Sequence, residues 1–164
     1  MDGMPPPVVP IQRGFNCIAI VTIGGVKFRV VFDTGAARSL IRTSFAKQLR
    51  QSRRTRSATF GPRPLSRPVS IEGVMKGKPS ATIAQATQVS MDLQDSLSGA
   101  QGKFEVCFAE MDECADALII GFPDLARFGY SVEEDDDGHI WVSFAKLGVT
   151  LLAEVPDAEQ SRVC

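Results

Sequence analysis

Val30-Val31-Phe32-Asp33-Thr34-Gly35-Ala36, followed by Ser39-Leu40-Ile41, decides how the rest of this chain is read. Three apolar residues run straight into an Asp-Thr-Gly turn. Such a run is a buried strand that delivers one carboxylate to a tight loop. A carboxylate there is costly unless it is hydrogen-bonded, paired or used. A bare Asp-Thr-Gly also occurs as an Asx turn closing a strand. Here it sits between two apolar runs and occurs once in the chain.

The runs on either side extend the pattern. Ile18-Ala19-Ile20-Val21-Thr22-Ile23 and Val26 to Phe32 flank Gly24-Gly25, which predicts a tight hairpin. Ser39 to Ile41 reads as a short strand. Thr43 is placed to cap a helix from about Ser44 to Gln51, with Phe45, Ala46 and Leu49 on one side. Ser52 to Arg67 contains prolines and a glycine and reads as a long loop. Val69 to Ile83 alternates, breaks at Val74-Met75-Lys76-Gly77 and resumes, as a hairpin with a glycine-rich tip does. Val89 to Leu93 and Phe104 to Phe108 alternate as two half-buried strands. Downstream, Ala117-Leu118-Ile119-Ile120-Gly121 is a second buried run. A short helix follows at Phe122 to Phe128, with Pro123 in its first turn. Tyr130 to Glu133 and Ile140 to Phe144 form a closing hairpin, and Val149 to Leu152 a last strand. Many short strands punctuated by turns predict an all-β closed sheet with one or two short helices.

Asp-Thr-Gly-Ala, the apolar-apolar-Gly segment and the order of parts resemble the aspartic proteases of the retroviral type. The resemblance runs from about Cys17 to Phe144. It implies an acid-protease-like barrel with a flap hairpin closing over the substrate. The wording Gly73 to Gly77 is closest to the retrotransposon and DNA-damage-inducible-protein kinds. Asp33 is then the catalytic residue, and Thr34, Gly35 and Ala36 support its loop. Ala37, Arg38, Val74, Met75, Lys76 and Gly77 bind substrate, and Ile119, Ile120 and Gly121 back the loop. Retroviral enzymes often carry an acid at the place of Ala37 and an arginine at the place of Phe122. Both are absent here, so an apolar alternative replaces their salt bridge.

One Asp-Thr-Gly per chain implies a homodimer acting on polypeptide, each subunit giving one Asp33. The expected function is an aspartic endopeptidase that needs no metal and no cofactor. The alternative is a catalytically inactive relative that binds peptides or dimerises through the same fold. A third reading assigns nucleic acid to the basic stretch.

Composition sets bounds on these readings. A chain of 164 residues with 44% hydrophobic content and a net charge of −1 fits one domain with a real core. The expected division is a Pro-rich segment over 1–10, the protease domain over 11–153 and a tail over 154–164. No stretch approaches a membrane span, and the first residues lack the apolar core of a signal peptide. Cys17, Cys107, Cys114 and Cys164 show no metal spacing, and Cys17 and Cys107 read as core residues. An intracellular, cytoplasmic setting is the expectation. The lone histidine, His139, lies beside an acidic turn and reads as an exposed hairpin residue rather than a base. Nine of the eighteen basic residues fall between Asp33 and Glu72, where no acid occurs. Without aromatic residues interleaved for base stacking, this is read as a solvated basic surface, and nucleic acid is not expected as a partner.

Overall fold

The computed structural model describes residues 16–71 and 81–155. Strand β1 (Asn16–Ile23) turns through Gly24-Gly25 into β2 (Val26–Asp33), with Ile23 opposite Val26. Both glycines have positive φ, at 56° and 81°. A Cβ on Gly24 would lie 2.0 Å from the Arg54 carbonyl oxygen, so this turn also needs glycine for space.

After the Asp33 loop come β3 (Leu40–Arg42), α1 (Thr43–Gln51) and a single 3₁₀ turn (Arg56–Ala58). Helix α1 buries Phe45, Ala46 and Leu49, the expected side. Thr43 is its first residue rather than its cap. Arg42 occupies the cap position and makes no side-chain capping bond. Arg42 instead turns its guanidinium to the carbonyls of Cys114 and Ala115.

The expected loop over Ser52 to Arg67 is corrected. Strand β4 (Thr59–Ile71) begins inside it and pairs antiparallel with β5 (Ala81–Gln94), with register shifts at Phe60/Arg63 and Pro64/Val69. Proline lacks the N–H that a central strand donates on both sides. β4 is the outermost strand of its sheet, where prolines and bulges are tolerated. The pairs Val69↔Ile83, Ser70↔Thr82 and Ile71↔Ala81 set the stem of the expected flap hairpin. The expected tip residues, Val74, Met75, Lys76 and Gly77, lie outside the described residues.

Strand β6 (Gln101–Met111) returns along β5, and β7 (Leu118–Gly121) leads into α2 (Phe122–Arg127). Side chains of β6 alternate, with Phe104, Val106 and Phe108 buried. That parity turns Cys107 outward, against the expectation that it is a core residue. Cys17 is buried as expected.

The seven-stranded sheet has the order β1-β2-β7-β3-β6-β5-β4. A further β1–β5 pairing at Thr22↔Asp92 closes β1 through β5 into a ring, the expected closed all-β architecture. Strands β8 (Tyr130–Glu134), β9 (Ile140–Phe144) and β10 (Val149–Ala153) make a second sheet. Phe32 of the ring lies 5.2 Å from Phe144 and 5.9 Å from Tyr130, ring centre to ring centre, and these edge-on contacts join the two sheets. Glu154, expected in the tail, exchanges both backbone bonds with Ile18 at 2.7 and 2.9 Å. This single bridge lies just past the end of β10 at Ala153. No described helix is long and apolar enough to cross a membrane.

Within the ring, Arg50 of α1 donates to Thr87 Oγ1 at 2.9 Å and lies 3.4 Å from Glu110 Oε2. Thr87 Oγ1 donates to the same carboxylate oxygen at 2.6 Å. A buried acid on β6 is thus tied to α1 and β5, fixing the helix against the strands that carry the hairpin.

Candidate active site

Strand alternation sends Phe28, Val30 and Phe32 of β2 toward the main core and Val31 and Asp33 to the other face. Asp33, the last residue of β2, is only 6% exposed. Its Oδ1 accepts the Gly35 N–H at 2.8 Å, and its carbonyl accepts the Ala36 N–H at 3.2 Å. Burial pushes the Asp33 carboxyl above the usual carboxylate range, and the backbone N–H groups of Gly35 and Ala36 pull it partly back. The Asx turn read from the sequence is therefore present, and its acid is nonetheless biased toward holding a proton.

Gly121 comes alongside this loop because β7 runs parallel to β2, with Asp33 opposite Gly121 and Val31 opposite Ile119. The Phe122 N–H donates to the Ala36 carbonyl at 2.9 Å. A Cβ on Gly121 would lie 2.5 Å from the Arg38 carbonyl oxygen and 2.9 Å from that of Ala36. Ile119 and Ile120 are buried on opposite sides, Ile119 with Val31, Leu40 and Ile83, and Ile120 in the main core. Thr34 is buried, Ala36 half-buried, and Gly35, Ala37 and Arg38 are exposed. Leu65 of β4 and Ile83 of β5 pack in the cluster that holds Val31 and Ile119, so the hairpin stem stands beside the Asp33 loop.

Three supporting residues were not singled out from the sequence. Ser39 Oγ accepts the Gly121 N–H at 3.0 Å and donates to Asp124 Oδ2 at 2.5 Å. Asp124 Oδ1 in turn accepts from Arg127 Nη2 at 2.8 Å. This chain of bonds crosses from the end of the Asp33 loop to α2, a polar link where an apolar one was expected. Phe122, by contrast, is 49% exposed and donates only through its backbone in these contacts. A hydroxyl directly before Leu40-Ile41 and an acid directly after Pro123 were the available signals.

His139 is exposed in the β8–β9 turn, as expected. Its neighbour Asp135 is already occupied by the Asp137 and His139 N–H groups and by Trp141 Nε1.

A barrel-like ring presenting one buried Asp-Thr-Gly carboxylate beside a hairpin stem defines a single-lobed, retropepsin-like aspartic protease domain. A sequence profile of the aspartyl protease family matches residues 19–123, well over half of the chain, and the chain belongs to that family. The chain is also similar to the solved retroviral protease-like domain of Ddi1 from Leishmania major, at 17% identity and a TM-score of 0.45, over 87% of this chain and 95% of that one. No curated protein sequence matches it significantly.

Proposed function

We propose that two copies of this chain associate about a twofold axis and hydrolyse peptide bonds with a dyad made from their two Asp33 side chains. The observation that carries this reading is the single Asp33, buried at the end of β2 and held by the Gly35 N–H. One carboxylate cannot both take a proton from water and give one to the scissile group. Two close together can, because they resist joint ionisation and share one proton. With one Asp-Thr-Gly per chain, the second carboxylate comes from an identical subunit, and an isologous contact sets both on the axis. The buried Thr34 is placed in the same loop to brace its partner. Ala37 and Arg38 line the path of the peptide, and the β4–β5 hairpin covers it and excludes water. Residues 11–153 act as one catalytic unit.

Dilution tests the assembly. Specific activity is expected to fall as the chain is diluted through its dimer dissociation constant, in step with a drop in sedimentation coefficient. A confirmed monomer with undiminished specific activity refutes the dimer requirement. Peptide binding without any turnover at high concentration favours the inactive alternative.

Ala36 gives a pH prediction. Its methyl packs against the apolar cluster and offers no proton to Asp33. A serine there adds a donor that favours the ionised carboxylate and lowers its proton affinity. The alkaline limb of the rate profile reports loss of the shared proton. In Ala36→Ser that limb is expected at lower pH than in the parent. A limb that stays put or moves up in an intact dimer contradicts the role given to this position.

A further inference from the structure

The loop from Asp33 to Ser39 is gripped by two consecutive N–H groups of the chain behind it. The Phe122 N–H donates to the Ala36 carbonyl at 2.9 Å, and the Gly121 N–H donates to Ser39 Oγ at 3.0 Å. Gly121 lies opposite Asp33 in the β2–β7 register. The second grip thus closes the loop at the strand position beside the carboxylate. Ser39 is only 3% exposed, and its carbonyl accepts the Ala109 N–H of β6 at 3.0 Å.

The Ser39 hydroxyl carries one proton. The Gly121 N–H is itself a donor, so the hydroxyl can meet it only with a lone pair. The proton goes the other way, to Asp124 Oδ2 at 2.5 Å. Asp124 Oδ1 accepts from Arg127 Nη2 at 2.8 Å. That nitrogen also donates to the Glu105 carbonyl at 2.9 Å, and the guanidinium lies 4.4 Å from the centre of the Phe128 ring. Arg127 is exposed yet tethered. Asp124 must therefore accept on both oxygens at once, which a carboxylate does and an amide does not.

We infer that Asp124 is a positioning residue for Asp33: by taking the Ser39 proton it aims the hydroxyl lone pair at Gly121 and locks the loop that carries the catalytic carboxylate. The inference rests on the peptidase reading above. An asparagine at this place has two orientations. With its oxygen toward Ser39, its amide N–H groups meet the Arg127 donor. With its nitrogen toward Ser39, the hydroxyl faces two donors and its own proton is stranded in a buried place. The conflict requires Arg127, so removing Arg127 should cure the asparagine variant. An exposed arginine left without its carboxylate costs little by itself, so the cure reports the directions of the hydrogen bonds.

The test compares Ser39→Ala, Asp124→Asn, Arg127→Met and the double variant Asp124→Asn/Arg127→Met. The readouts are kcat, KM and hydrogen exchange of the Gly35 amide, which donates to Asp33 Oδ1 at 2.8 Å. Ser39→Ala and Asp124→Asn are each expected to lower kcat about tenfold or more with KM within about threefold, because a loosened carboxylate loses alignment rather than binding. Their Gly35 amides are expected to exchange about tenfold faster. Arg127→Met is expected to stay within about threefold of the parent in kcat, and the double variant to return to within about threefold of Arg127→Met. Parent-like kcat and Gly35 exchange in either Ser39→Ala or Asp124→Asn, or a double variant as impaired as Asp124→Asn, overturns the inference. A parent chain without turnover overturns the peptidase reading instead, and the Gly35 exchange rates of the same variants then decide the positioning role.

Discussion

Asp33→Asn is expected to keep the fold and lose at least about three orders of magnitude in kcat/KM. An amide is nearly isosteric with the carboxylate and can still accept the Gly35 N–H that Asp33 accepts at 2.8 Å. It cannot take a proton from water, and two amides cannot share one. The same substitution has a stability signature of opposite sense. Burial raises the proton affinity of Asp33, so the native chain binds this proton more tightly than the unfolded chain. Stability therefore declines as pH rises from the unfolded pKa through the native one, and above both the ionised acid carries a constant penalty. Asn removes that penalty. The variant should melt at or above the parent temperature near pH 7, and the difference should shrink toward low pH. Turnover retained in a preparation free of contaminating protease places the chemistry on another residue. A lower melting temperature at neutral pH shows that the carboxylate is structural.

The second large effect is expected from Gly121→Ala. The added methyl would meet Arg38 O at 2.5 Å, Arg38 C at 2.6 Å and Ala36 O at 2.9 Å. All three are backbone atoms, so no side chain can swing aside. Either β7 separates from β2 or the Asp33 loop is pushed outward. The expected cost is about 3 kcal/mol of stability, with activity lost in whatever remains folded. Gly148→Ala is the control, because Gly148 has a positive φ of 67° with nothing within 4 Å of a new Cβ. Its cost should stay near 1 kcal/mol, the strain of the backbone alone. Equal melting temperatures for the two variants would mean that Gly121 is not pressed against the loop.

Local features were legible in the sequence. The Gly24-Gly25 hairpin, the buried approach of Val30 to Phe32 and the Ile119-Ile120-Gly121 run each depend on neighbours a few residues away. Their elements appear as expected. Long-range bonds were not legible. Ser39 and Asp124 lie 85 residues apart, and nothing in either local pattern announces their hydrogen bond. The same holds for Arg50 with Glu110, 60 residues apart. Two misreadings have simple physical causes. Prolines between Ser52 and Arg67 argue for a loop only if the strand is central, and β4 lies at the edge. Cys107 has apolar neighbours on both sides, but strand parity rather than composition decides which way it faces. The basic residues are divided in use. Arg42 and Arg50 serve internal bonds, while Arg53, Arg54, Arg56, Arg63 and Arg67 are exposed, in line with a solvated surface.

On this mechanism the active unit contains two Asp33 residues, one from each subunit. Mixing parent and Asp33→Asn chains, unfolded together and refolded at constant total concentration, tests it most directly. If both acids are required, activity follows the square of the parent fraction, and an equal mixture retains about one quarter of full activity. If each chain works with its own Asp33 alone, activity follows the parent fraction linearly, and an equal mixture retaining about one half contradicts the account.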